Sequence, residues 1–397
     1  MSSPLLVYLD SSDFSKFADP GVRTPELAEI ERDLLARKAE GKIALCYSES
    51  HVIEAAALRK DDIPKASGRY AKIRDLCGTA CLAHFLDIVE DEIRYARRGE
   101  RLPRAATWRS DGFWFPRELD DTLFQSSAAP LKLLSQFGRE ERRKRLRNGK
   151  LTPFAQHEFG RRMKDFLSKS PGEIPLGRQT MHVLSQYFEG LLSAEKAERD
   201  IRALLGDVRE FGRWYETDAD SAMQFSSYLR TFGREFKGLL AQCREDYMKT
   251  LEAALASGGS RAELHCVVAE SFAKTLRETS SKFARNLSAN LGLGRGAFDV
   301  DDTRQWLPAL SCATALALEL ARRAVFDAQP RKGGESDVGD VLHVAYLPYV
   351  DIYRTDGSMA NVIREGKLAG STEVVAKLEH LPEVIDRQLQ TRAANAA

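Results

Sequence analysis

The amino-acid sequence predicts an α/β protein whose parallel sheet is assembled from both ends of the chain and interrupted by a large all-α insert. Three observations lead there. Short apolar runs alternate with helical patterns over residues 1–60, the same alternation returns over 331–397, and 61–330 carries long amphipathic periods with widely spaced breakers. These ranges are the expected division: the two ends form one catalytic-type domain and the middle a helical insert, because the ends of an inserted domain usually lie close together.

Leu5 to Leu9 is a continuous apolar run ending at Asp10, the pattern of a strand buried on both faces with an acid at its carboxyl end. Thr24-Pro25 opens a helix with a capping side chain and proline at its first position, Leu27, Ile30 and Leu34 supply its apolar stripe, and Gly41 closes it. Ile43 to Tyr47 reads as a second strand, and Ser48 caps a helix running through Glu54 to Leu58. In the middle, helical periods run from Ile73 to Ile93, His182 to Leu205, Phe225 to Leu255 and Leu264 to Leu291, interrupted by a loop near Pro103 to Pro116. Near the end, Ser336 caps a helix from Asp337 to about Tyr346, Val350 to Thr355 and Glu373 to Ala376 read as strands, and a last helix follows.

Composition narrows the function classes. With 43% apolar and 29% charged residues, the chain has the makeup of a soluble globular protein. No apolar run reaches the ~18 residues of a membrane span, and the N-terminus lacks a signal-peptide pattern, so a cytoplasmic location is expected. Six scattered cysteines indicate no disulfide framework. Cys77 and Cys81 fall on one helical face with His84 nearby, but a fourth metal ligand is missing and core packing is the plainer reading. Gly333-Gly334 lacks the Lys-Ser/Thr that completes a Walker phosphate loop, so ATP use is not indicated.

The acids carry the chemistry. Asp10 stands where the first strand ends, Glu54 in the helix after the second, Asp340 one turn into the later helix, and Asp356 after the later strand. Parallel strands turn their carboxyl ends to one edge, so these four can meet in one cleft. Convergent carboxylates repel, and a hard divalent cation, Mg²⁺ or Mn²⁺, is the usual remedy. Such an ion suits phosphodiester hydrolysis.

Val7-Tyr8-Leu9-Asp10-Ser11-Ser12, Glu54 within Ser48 to Glu54, and Ser336 to His343 followed by Tyr349 to Asp356 together resemble the PIN-domain nucleases. The resemblance covers only the two ends of the chain. It implies a PIN-like doubly wound parallel sheet and a metal-dependent nuclease, with RNA ahead of DNA as substrate. Carried over, Asp10 binds metal directly, Glu54 completes the ligand set or orients water, and Asp340 is the third acid. The family usually has Thr, any residue, then Asp after the fourth strand. Here that spacing from Thr355 lands on Gly357, which leaves the adjacent Asp356 as the fourth candidate, and Ser12 stands where Asn is common.

Each acid also has a plainer reading. Asp10 can cap a turn, Glu54 can sit on an exposed helix face, and Asp337, one turn before Asp340, serves either as a further ligand or as a cap. His343 is either a base near that helical face or a ring packed against the sheet. Arg139 to Lys150 holds seven basic and two acidic residues, including Arg142, Arg143, Lys144 and Arg145. Such a run is either a solvated helix face or a surface that collects a nucleic-acid backbone. The insert is expected to select substrate, a protein partner or a second copy of the chain. A PIN-like binding or scaffold protein without turnover is the alternative, and a largely helical interaction protein a third.

Overall fold

The structure is a computed structural model that describes residues 3–117, 178–188, 191–217, 219–290, 305–327 and 336–396, with isolated positions 140, 144, 146, 147, 150–152, 292, 303 and 334. Its centre is a four-stranded, wholly parallel sheet of β1 (Leu5–Tyr8), β2 (Ile43–Cys46), β7 (Ile352–Arg354) and β8 (Glu373–Val375), in the order β2-β1-β7-β8. Both ends of the chain therefore build one sheet. Strand order runs outward from β1 to β2 on one side and from β7 to β8 on the other. The reversal falls between β1 and β7, and the crevice at the carboxyl ends of such neighbours is where open parallel sheets bind ligands.

Between β1 and β2 lie α1 (Ser11–Ala18) and α2 (Pro25–Ala39), and after β2 come α3 (Glu49–Ala55) and α4 (Ile63–Cys77). The Thr24 hydroxyl accepts from Leu27 N–H, as the sequence leads one to expect of a helix that opens Thr-Pro. Then follow β3 (Cys81–Leu82), α5 (Phe85–Ala96), α6 (Arg104–Thr107), β4 (Trp108–Arg109), and the short strands β5 (Leu146–Arg147) and β6 (Lys150–Leu151). Among the described residues of the middle there follow the helices α7 (Arg178–Phe188), α8 (Ala194–Leu205), α9 (Val208–Thr217), α10 (Ala219–Ala256), α11 (Arg261–Asn290) and α12 (Pro308–Val325). Around the last two sheet strands lie α13 (Asp337–Val344), α14 (Gly357–Glu365) and α15 (Leu381–Ala396).

Helices cover both faces of the sheet, which is why its strands are apolar without alternation. Leu5, Val7, Leu45 and Ile352 face a core shared with α1, α2, α4, α9 and α15, through Phe14, Leu34, Tyr70, Phe211 and Leu381. Leu6, Tyr8, Cys46 and Tyr353 face a second core, with Ile88 and Val89 of α5, Leu316 of α12 and Ile363 of α14.

The middle is mostly helical, as expected, but not wholly so. The period from Ile73 to Ile93 is broken by Gly78 at a positive φ, and β3 pairs antiparallel with β4 while Tyr47 bridges to Cys81. Cys77 therefore closes a helix and Cys81 lies in a strand. They do not share a helical face. Both are buried thiols whose pKa burial pushes up, which suits packing and not metal ligation. In the second departure, Leu146 and Arg147 pair antiparallel with Leu151 and Lys150. The segment from Pro103 to Pro116, expected as a loop, contains α6 and β4, and the loop after them is held where a Cβ on Gly112, which has φ +75°, would lie 2.1 Å from the Gly206 carbonyl. Only glycine permits that backbone contact between the loop and the end of α8.

The long helix α10 packs against α12 and α13 and touches α3. The helical middle therefore abuts the two helices that carry Glu54 and Asp340. No helix among the described residues is long and apolar enough to cross a membrane.

Candidate acidic site

Asp10 leaves β1 in extended conformation and caps α1, its Oδ1 accepting from Ser12 N–H at 2.7 Å. The plainer reading is thus fulfilled by one oxygen. The other, Oδ2, lies 3.5 Å from Thr355 Oγ1 across the β1/β7 crevice. Asp13 returns the cap, its Oδ2 accepting from Asp10 N–H at 3.3 Å, while its Oδ1 accepts from Arg354 Nη2 at 3.0 Å. Burial pushes the Asp13 carboxyl up to about 6 against the pull of Arg354. This buried pair joins the ends of β1 and β7, and the sequence reading missed it because 341 residues separate the partners.

Glu54 is carried on α3. Ser48 N–H, just ahead of that helix, donates to His51 Nδ1 at 3.0 Å. That bond makes Nδ1 the acceptor, so Nε2 carries the hydrogen and donates to the Leu9 carbonyl at 2.8 Å. Burial holds His51 well below its ordinary pKa, so it is a neutral strut between α3 and the residue before Asp10. The Glu54 carboxylate then reaches α13. Its Oε1 lies where a Cβ on Gly339 would approach to 2.0 Å, and its Oε2 is 3.0 Å from His343 Nε2.

Asp340, in the first turn of α13, completes the group. Burial pushes its carboxyl up to about 7, and the charges of Glu54, Asp10 and Asp337 push the same way, against His343. Asp337 is buried one turn earlier, and its Oδ2 accepts from Gly334 N–H at 3.1 Å. His343 is also buried. Its Nδ1 lies 2.6 Å from the Tyr8 hydroxyl and its Nε2 3.1 Å from Ser11 Oγ. Burial works against its charged form, but Glu54, Asp10 and Asp340 outweigh it and raise its pKa. Of the two readings of His343, its burial and its contact with the Tyr8 ring fit the one packed against the sheet, and it is bonded to a candidate acid as well.

Asp356 sits at the same sheet edge but is exposed, and its Oδ1 caps α14 by accepting from Met359 N–H at 2.9 Å. The carboxylates that act most strongly on Asp340 are Glu54, Asp10 and Asp337. Of the basic residues, Lys144 is exposed, and Arg142, Arg143 and Arg145 lie outside the described residues.

Asp10, Glu54, Asp340 and Asp337 thus gather at the strand-order reversal, while Asp356 stands at its rim. All offer hard oxygen donors, and the raised Asp340 marks an excess of negative charge that either a proton or a cation relieves. In kind, these residues fit Mg²⁺ or Mn²⁺. As they stand, no group of three or more His, Cys, Asp or Glu side chains among the described residues is close enough to hold an ion.

Fold and site define a mixed α/β protein with an acidic cluster at the carboxyl edge of a small parallel sheet. Compared with protein-family models, curated proteins and solved structures, the chain matches none.

Proposed function

We propose that this chain is a metal-dependent nuclease hydrolysing phosphodiester bonds, with a PIN-like doubly wound catalytic unit formed by its two ends. The observation that carries the reading is the convergence of Asp10, Glu54 and Asp340 at the β1/β7 crevice, with Asp340 raised to about 7 by burial and by its acidic neighbours. A polyanionic substrate cannot approach that cluster unless its charge is compensated. A bound Mg²⁺ or Mn²⁺ would supply that compensation and Lewis-acid chemistry toward the phosphodiester.

The chain's own residues do the rest. Asp10, fixed by its cap, and Asp340, on the first turn of α13, would hold the ion, with Asp337 supporting Asp340 and Glu54 either joining them or orienting the attacking water. Asp356 acts from the rim. The run containing Arg142, Arg143, Lys144 and Arg145 collects the backbone of the substrate, for which RNA is favoured over DNA, in a cytoplasmic setting. The helical middle, lying against α3 and α13, selects substrate or a protein partner. Cleavage of a panel of single-stranded and duplex RNA and DNA with Mg²⁺ and with Mn²⁺ tests the proposal. Metal-dependent cleavage of one class is expected; no cleavage of any would leave it without support.

A second reading is favoured by one observation. Glu54 is engaged by His343, and no ligand group is assembled among the described residues. A PIN-like nucleic-acid-binding or scaffold protein without turnover would bind the panel and cleave none of it.

A further inference from the structure

We infer that Tyr8 and His343 form a positioning relay that orients the Glu54 carboxylate, a role that rests on the proposed site. Three contacts in series make the chain. Ser48 Oγ lies 2.7 Å from the Tyr8 hydroxyl, that hydroxyl lies 2.6 Å from His343 Nδ1, and His343 Nε2 lies 3.0 Å from Glu54 Oε2. A carboxylate only accepts, so Nε2 carries the hydrogen. Nδ1 faces the Tyr8 hydroxyl, so the ring is bracketed by a hydroxyl at one nitrogen and a carboxylate at the other. At the far end of the chain the Ser48 hydroxyl meets the Tyr8 hydroxyl.

Packing fixes the direction of this chain. The Tyr8 ring stacks on Tyr353 with centroids 5.3 Å apart and planes 6° from parallel, and on Tyr346 at 5.9 Å and 26°. With the ring so held, its hydroxyl sits between Ser48 Oγ and His343 Nδ1. At the other end, Gly339 has no Cβ to displace the Glu54 carboxylate, which is therefore held between α13's backbone and His343. A histidine present only to fill space would need neither a hydroxyl at one nitrogen nor a carboxylate at the other. Partners of this kind, one bond behind a ligand, set its orientation and basicity.

Tyr8→Phe keeps the stacked ring and removes only the hydroxyl. In the metal-free protein, the nitrogen-15 resonance of His343 Nδ1 should shift, because that nitrogen loses its hydroxyl partner. Mn²⁺ affinity should fall about tenfold, and kcat should fall while KM for nucleic acid holds, because substrate contacts are untouched. His343→Gln, whose amide can still donate toward Glu54, should retain more Mn²⁺ affinity than His343→Leu. An unchanged ring spectrum and affinity in Tyr8→Phe, or equal losses in the two His343 variants, would overturn the relay while leaving the metal site standing. Failure of the unmodified protein to bind Mn²⁺ would instead remove the site itself, and with it the reason for orienting Glu54.

Discussion

His343 Nε2 lies 3.0 Å from Glu54 Oε2, although 289 residues separate them in sequence. The contact exists because α3 and α13 meet over the β1/β7 crevice, and Gly339 lets them meet so closely. Gly339→Ala would bring a methyl to 2.0 Å from Glu54 Oε1, and the flexible carboxylate, not the backbone, should give way. The variant is expected to fold normally by circular dichroism and to lose Mn²⁺ affinity about as much as Glu54→Gln. Unaltered affinity would mean that Glu54's place against α13 is immaterial to binding.

Stability should fall as pH rises. Asp13, Asp340 and Glu92 have carboxyls raised by burial to about 6, 7 and 8, whereas the unfolded chain releases those protons near pH ~4. The folded state therefore binds more protons between these limits. The stability these groups contribute is complete below the unfolded value and is lost as pH passes through 6 to 8. Glu92 is the cleanest probe, its bonds running to Ala309 and Tyr349 and not to a candidate acid. Its Oε1 accepts from Ala309 N–H at 2.7 Å and from the Tyr349 hydroxyl, and Glu92→Gln keeps an acceptor there without the charge. Urea midpoints from pH 5 to pH 9 should decline less in Glu92→Gln than in the unmodified protein; parallel curves would contradict the assignment.

Asp356 separates a cap from a ligand. Asparagine caps as well as aspartate, so Asp356→Asn should leave stability level, whereas Asp356→Ala should cost about 1 kcal/mol. Because the carboxylate is exposed and already caps α14, Asp356→Asn should cost less activity than Asp10→Asn. A loss as large as that of Asp10→Asn would make Asp356 a direct ligand.

The sheet was legible because its signals are local. Apolar runs at Leu5, Ile43, Ile352 and Glu373 marked all four strands, and Thr24-Pro25 and Ser48 marked helix starts. Two-residue strands such as Cys81–Leu82 are too short for periodicity to detect. Asn148-Gly149, the dipeptide that favours hairpin turns, was the available signal for the pair at Leu146 and Lys150. Asp10, Glu54 and Asp340 could be named from strand ends. The Asp13–Arg354 and Tyr8–His343 contacts could not, since they arise only when distant segments pack.

For the basic run, neutralising Arg142, Arg143, Lys144 and Arg145 together should weaken nucleic-acid affinity across sequences and make its salt dependence shallower. Catalytic rate at saturation should hold, because contacts equal in ground and transition states give only uniform binding. An anisotropy titration with an unchanged salt slope would mean that the phosphate-binding surface lies elsewhere.

The most direct measurement is a Mn²⁺ titration, followed by thermal unfolding and by cleavage, on the unmodified protein, Asp10→Asn and Asp340→Asn. The unmodified protein should gain about 2.7 kcal/mol at a hundredfold excess over Kd. Both variants should fold, lose that gain, and lose cleavage by on the order of a thousandfold, as removal of several kcal/mol of charge stabilisation requires. Equal stabilisation by Mn²⁺ and unaltered turnover in all three proteins would contradict an active site at the β1/β7 crevice.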